Sequence, residues 1–129
     1  MGKSTDNVVL DAALDHIVDN CTKMTICENE PTTYNEANLA KGSGGQALAD
    51  QPLSSSDFTK ADGDVSGRKV TVAQKANITV DVSGTADHRA LLDVANSKLL
   101  QVTTVTSQAL VAANTVTVPA HDIEIQDPT

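Results

Sequence analysis

The sequence predicts a mainly β domain of the α+β class, in which an N-terminal helix precedes an antiparallel β-sandwich or open barrel with a long irregular arm. In the second half, short runs of alternating β-branched and polar residues follow one another without helical periodicity between them. Near the N terminus, apolar residues recur instead at helical spacing. Because 129 residues is a usual size for one domain, we treat residues 1–129 as a single unit.

The first element is predicted to be a helix over residues 6–21. Its apolar face consists of four residues at helical spacing, Leu10, Leu14, Ile17 and Cys21. Thr5 or Asp6 can cap its N terminus, and aspartates occupy the opposite face. This pattern is typical of a helix that packs on its own core, and docking into a neighbouring subunit is the alternative.

A short strand, Met24–Glu28, and a turn that leads into one helical turn, Pro31–Ala37, are predicted next. The segment 41–66 then crowds glycine, serine, proline and aspartate into one stretch, which is typical of loops. Long loops in small domains are commonly functional. We therefore expect an extended arm that lies over a neighbouring molecule, with a flexible surface loop as the alternative.

Residues 67–127 form the predicted β-core. The expected strands are Lys69–Ala73, Ile78–Val82, His88–Leu92, Lys98–Thr106, Gln108–Val111, Asn114–Val118 and Ile123–Ile125. Asp93–Ser97 is expected to be the loop of a hairpin. Close spacing without intervening helices favours antiparallel pairing throughout this region.

Charge and composition exclude several classes of function. A formal charge of −8 disfavours binding to the phosphate backbone of nucleic acids or to an anionic membrane. The apolar stretch of the N-terminal helix is broken by aspartates, so we expect neither a signal peptide nor a membrane span, and expect the protein to stay in the cytoplasm or leave by lysis. Tyr34 and Phe58 are the only aromatic residues, which favours a broad contact over aromatic anchors.

One loop resembles the beginning of a calcium site. Asp62, Asp64 and Ser66 have the spacing of the first three ligands of a calcium-binding loop. The twelfth position is Ala73 where a bidentate glutamate is needed. We therefore expect an Asx-type turn, with a weak metal site as the alternative, and we expect no cofactor.

The remaining reactive side chains give no catalytic signature. His16, His88 and His121 each lie beside an aspartate, but no nucleophile motif accompanies them, so the chain is not expected to be an enzyme. Cys21 and Cys27 lack metal-ligand spacing. We expect two partly buried thiols, with a disulfide within or between subunits as the alternative.

The amino-acid sequences of several segments resemble those of a family of small structural proteins in the virions of tailed bacteriophages. The segments that carry this resemblance are Leu10–Leu14, Ile26–Ala37, Ala61–Val70, Gly84–Leu92, Asn114–Val118 and Asp122–Thr129. Together they span nearly the whole chain. The sequence departs from the family's pattern at the hairpin tip, Asp93–Ser97, where a shorter Asp-Gly turn is expected.

The resemblance implies a virion protein without an active site, assembled in the host cytoplasm. We expect a capsid decoration or cement protein that contacts the major capsid protein or another virion protein, as a homo-oligomer with a trimer favoured. The 41–66 segment and the N-terminal residues are expected to bridge neighbours. The candidate interface side chains are Tyr34, Leu39, Leu48, Leu53 and Phe58. A neck or tail ring component and a stand-alone glycan- or peptide-binding module are the alternatives.

Overall fold

A computed structural model describes residues 2–128, which contain two α-helices and nine β-strands. The helices are α1 (Asn7–Asn20) and α2 (Tyr34–Asn38). The strands are β1 (Lys23–Cys27), β2 (Ala47–Pro52), β3 (Phe58–Asp62), β4 (Arg68–Val72), β5 (Lys75–Thr79), β6 (Gly84–Asp93), β7 (Lys98–Leu110), β8 (Thr115–Val118) and β9 (His121–Ile125). The predicted mainly β, α+β class is confirmed.

Helix α1 begins and ends where capping predicts. The Asp6 carboxylate accepts a hydrogen bond from the Val8 N–H at 2.8 Å, which satisfies a backbone donor of the first turn. At the other end, the Cys21 N–H donates to the Ile17 carbonyl at 2.8 Å. Leu10 and Leu14 are buried, so the apolar face of the helix packs on the chain's own core.

The largest sheet has the strand order β2-β1-β6-β7 and is antiparallel throughout. Strands β6 and β7 form a hairpin that closes at the pair Asp93–Lys98, which confirms the predicted loop. The Asp93 carboxylate accepts hydrogen bonds from the backbone N–H and the side-chain amide of Asn96, at 3.2 and 2.8 Å. Ser97 adopts a positive φ of 54°, which completes the reversal.

Two smaller sheets, β3-β4-β9 and β5-β8, pack with the large sheet around one main apolar cluster. The side chains at its centre that are at most 1 % exposed are Leu14, Met24, Leu48, Ala49, Val70, Val72, Val80 and Leu91. A second, smaller cluster lies on the opposite face of the large sheet, where α2 places Ala37 against Ala90 and Leu92. The large sheet is therefore covered on both faces near its centre.

The predicted arm over residues 41–66 is wrong, because this segment contains β2 and β3. Strand β2 pairs along the whole of β1, and Leu48 is fully buried. The local sequence of β2 contains no β-branched residue, so pairing and burial determine its structure rather than strand propensity. Gly45 lets the preceding turn fold back, since a Cβ there would lie 1.9 Å from the Leu39 carbonyl oxygen.

Replacement of Leu48 by alanine tests whether the 41–66 segment belongs to the core. We expect Leu48→Ala to lower the free energy of unfolding by about 2–5 kcal/mol, because it leaves a cavity among fully buried side chains. The control is Val65→Ala in the same segment, where the side chain is 77 % exposed and the expected change is within about 0.5 kcal/mol. Urea denaturation followed by circular dichroism measures both. Equal, small changes would mean that the segment is a detached arm.

Candidate functional site

Three of the five candidate interface residues do not lie on the surface. Leu48, Leu53 and Phe58 are 0, 7 and 8 % exposed and belong to the main cluster, so they hold the chain together and the interface prediction is wrong for them. Tyr34 is partly buried against the small cluster beneath α2. Leu39 is 39 % exposed and remains available for contact.

The loop with calcium-like spacing is held by ion pairs. Asp62 accepts from the Arg68 guanidinium at 2.8 Å, and Asp64 accepts from the Lys69 ammonium at 2.7 Å. The Ser66 hydroxyl accepts a hydrogen bond from the backbone N–H of Asp127 at 3.0 Å. Within residues 2–128 no three histidine, cysteine or acidic side chains are placed to hold a metal ion.

The expected Asx-type turn is also corrected. The backbone closes this loop directly, with the Gly63 N–H donating to the Gly67 carbonyl at 3.0 Å. The Asp64 N–H donates to the carboxylate of Glu124 on β9. The two aspartates therefore pair with basic side chains of β4 and do not accept hydrogen bonds from the backbone of their own loop.

The histidines and cysteines do not form a reactive cluster in the described part of the chain. The histidines lie on α1, β6 and β9, and no hydrogen bond joins any two of them. Cys21 and Cys27 are buried, free thiols. Desolvation raises the pKa of both thiols, which keeps them protonated and poorly nucleophilic.

A long uncharged stretch stands out on the surface. The twenty-two residues from Leu99 to Ala120 carry no aspartate, glutamate, lysine, arginine or histidine, although 20 % of the chain is charged. Strand β7 takes up the first half of this stretch and, within residues 2–128, pairs only with β6, so it forms one edge of the large sheet. Its residues 106–109 are exposed, and Val111 in the following turn is 58 % exposed. We call residues 99–110 the β7 edge.

A bulge in β7 adjoins a cleft. The pairing runs from Ala86 with Gln108 to His88 with Thr104, so three residues of β7 face one residue of β6. Such an insertion bends a strand away from its ladder. A cleft of about 280 Å³ lies here between β7 and β8, and Arg89 of β6 forms part of its wall.

Arg89 is a buried cation that has no counter-ion among the residues that the structure describes. Its side chain is only 5 % exposed, and its one hydrogen bond within residues 2–128 runs from Nη1 to the carbonyl oxygen of Pro119 at 2.8 Å. The buried Nε has no hydrogen-bond partner in this described range. Desolvation lowers the pKa of this guanidinium, which nevertheless stays charged at neutral pH. By contrast, Arg68 pairs with both Asp11 and Asp62.

His121 adds to this unusual environment. Burial and the positive charge of Arg89 lower the pKa of its imidazole to about 4, against the opposing effect of Asp122. Its Nδ1 is a second buried polar atom that lacks a hydrogen-bond partner in the described part of the chain. His121 is therefore neutral at pH 7, and the cleft wall keeps a single positive charge in a chain of net charge −8.

Sequence reasoning did not single out Arg89. The available signal was a basic residue inside the strand pattern His88–Leu92, next to a hairpin partner that carries no charge after Lys98. Such a residue is normally solvated or paired. Only the fold shows that neither holds here.

Comparisons with known proteins give no relative. No protein-family model, no curated protein and no solved structure matches this chain. Among the described residues, no helix is both long and apolar enough to span a membrane.

The shifted pKa of His121 predicts how stability depends on pH. The unfolded chain takes up a proton on this residue near pH 6.5, whereas the folded chain does so near pH 4. Its contribution to stability is therefore complete above pH 6.5 and is lost as the pH falls from about 6.5 to about 4. We expect His121→Gln to flatten this part of the curve in denaturation series at several pH values. An imidazole that titrates at or above 6.5 in NMR spectra would contradict the assignment.

Replacement of Arg89 by methionine tests whether its charge stabilises the fold. We expect the free energy of unfolding to be unchanged or raised by up to about 2 kcal/mol, because an uncompensated buried charge is removed while the volume is kept. Arg68→Met serves as the control and is expected to lower the stability, since it leaves Asp11 and Asp62 unpaired. Thermal denaturation compares the two. A large loss for Arg89→Met would mean that its bond to Pro119 is essential to the fold.

Proposed function

We propose that this chain is a non-enzymatic structural protein of a tailed-phage particle, acting as a decoration or cement protein that bridges major capsid subunits. The observation that carries the proposal is the β7 edge, an unpaired strand side without a charged residue in the described structure. The kind of particle is inferred from the sequence resemblance to small virion proteins.

Exposed sheet edges attract other strands, and natural proteins usually protect them with lysine, proline or other charges. Strand β3 is protected in this way by Lys60 and Asp62, and β9 carries Asp122 and Glu124. The β7 edge has no such residue over twelve positions. This difference supports a role for β7 as a contact strand that is covered by a partner, with main-chain hydrogen bonds supplying much of the affinity.

The mechanism we propose is mechanical. Shell subunits tend to separate along their seams, and a protein that contacts several of them at once opposes this separation. Modest contacts suffice because multivalent attachment raises the overall affinity without new chemistry. The scarcity of aromatic anchors fits such a broad contact, since Phe58 is buried and Tyr34 is partly buried.

The alternatives differ in measurable ways. A neck or tail ring component has a low copy number in the particle, whereas a decoration protein covers the shell, so quantitative gel densitometry of purified particles separates them. A glycan-binding module normally offers an aromatic platform on its surface. The burial of Phe58 favours the hypothesis of a structural protein over that of a glycan-binding module.

Charges placed on the β7 edge test the proposal. We expect the double variant Ser107→Lys and Ala109→Lys to fold normally but to lose self-association and binding to capsids, because both residues are exposed and lysine blocks strand addition. The matched control is Thr59→Lys with Ala61→Lys, which adds the same charge to exposed positions of β3. Sedimentation velocity and co-sedimentation with empty capsids measure both effects.

We expect the wild type and the β3 control to assemble and to co-sediment alike, with affinity for capsids at least tenfold above that of the β7 variant. Equal binding by all three proteins would overturn the assignment of the contact to β7. A wild-type chain that remains a monomer and never binds a particle would overturn the structural function itself.

A further inference from the structure

We propose that the cleft between β7 and β8 binds a small aliphatic carboxylate, whose carboxylate group pairs with the guanidinium of Arg89. This ligand site goes beyond the proposed structural function and does not depend on it.

The first argument is the unsatisfied edge of Arg89. Nη1 is engaged by the Pro119 carbonyl, so Nε and Nη2 remain without a partner in the described structure. These two atoms form one fork of the guanidinium, whose parallel N–H groups match the two oxygens of a carboxylate. Of these two atoms Nε is buried, and leaving its N–H unsatisfied has an energetic cost that an acceptor bound along this edge removes.

The second argument is that the acidic side chains close in sequence to Arg89 and Pro119 are engaged elsewhere. Asp122 accepts hydrogen bonds from Thr71 at 2.5 Å and from Lys69 at 3.2 Å. Asp87 of β6 accepts from its neighbour His88 at 2.8 Å and from the backbone N–H of Asn29 at 2.7 Å. No acidic group within residues 2–128 forms an ion pair with Arg89, so an anion from outside the described chain meets no competing partner at this guanidinium.

The third argument concerns the chemical class of the ligand. The cleft combines apolar walls, including Ile26, Val116 and Val118, with the Gln108 amide and threonine hydroxyls. Such walls suit a short aliphatic group, and a volume of about 280 Å³ lies at the small end of ligand pockets. Because Arg89 is a single charge beside a neutral His121, in a chain of net charge −8, the site favours a monoanion over a phosphate dianion.

The two arginines of the chain give a direct test by NMR. Arg68 and Arg89 are the only residues of this type, so a ¹⁵N-labelled protein shows two arginine Nε–H signals. The Nε of Arg68 already donates to Asp11 at 2.8 Å and serves as an internal control. The probes are isobutyrate, its neutral isostere isobutyramide, and inorganic phosphate, each titrated at constant ionic strength.

We expect isobutyrate to shift the Arg89 signal in a saturable way, with a dissociation constant on the order of 1 mM for so small a ligand. The Arg68 signal should stay in place, and isobutyramide and phosphate should produce shifts at least tenfold weaker at equal concentration. No shift with isobutyrate, or an equal shift of both arginines, would overturn the proposal. An equal response to isobutyramide would show a purely apolar site, and a stronger response to phosphate would show a different anion class, so either result also overturns it.

Two variants separate this proposal from the structural function. Arg89→Met should lose the isobutyrate-dependent rise in melting temperature that ligand binding gives the wild type, while an unchanged Arg68 signal shows that it is folded. If this variant does not fold, the titration of the wild type decides alone. The β7 variant with Ser107→Lys and Ala109→Lys alters neither Arg89 nor a residue of the cleft wall, and it should keep isobutyrate binding. A preserved rise in melting temperature in folded Arg89→Met would overturn the role of the guanidinium.

Discussion

The pairing of β6 with both β1 and β7 is the constraint on which the rest of the structure depends. Through this register Leu91 enters the main cluster, while Ala90 and Leu92 lie beneath α2. A slip by one residue would exchange the two faces of the strand, because side chains alternate along it. Arg89 would then leave the cleft, and the small cluster under α2 would be lost. The core and the candidate ligand site are thus set by the same hydrogen-bond ladder.

Local sequence signals predicted the elements whose structure is determined locally. The cap at Asp6 and the helical spacing of Leu10 and Leu14 located α1, and the Asp93–Ser97 loop was predicted from the strand patterns on either side of it. Strand β2 was not predicted, because its alanines and polar residues become a strand only by pairing with β1. The burial of Leu48 follows from that pairing, and no local pattern encodes it.

The candidate sites were harder to predict for a related physical reason. The apolar side chains Leu53 and Phe58 were predicted to contact a partner because they lie among loop-forming residues. In the fold both are buried in the core. Arg89 has no acidic partner among the described residues, and it lies where β6, Pro119 and the bulged part of β7 line one cleft although they are distant in sequence. An unprotected edge and an unpaired buried cation both lower stability or solubility, and proteins commonly retain such features where they serve function.

Hydrogen–deuterium exchange of the assembled protein tests the central claim, that β7 is the strand through which this chain joins its neighbours. Amides of the β7 edge are compared between the dissociated chain and the assembled particle, with β3 as the internal reference. If β7 is the contact strand, protection within residues 99–110 increases at least tenfold on assembly, while that of β3 changes little. Unchanged exchange along β7, together with new protection of β3 or β9, would contradict it.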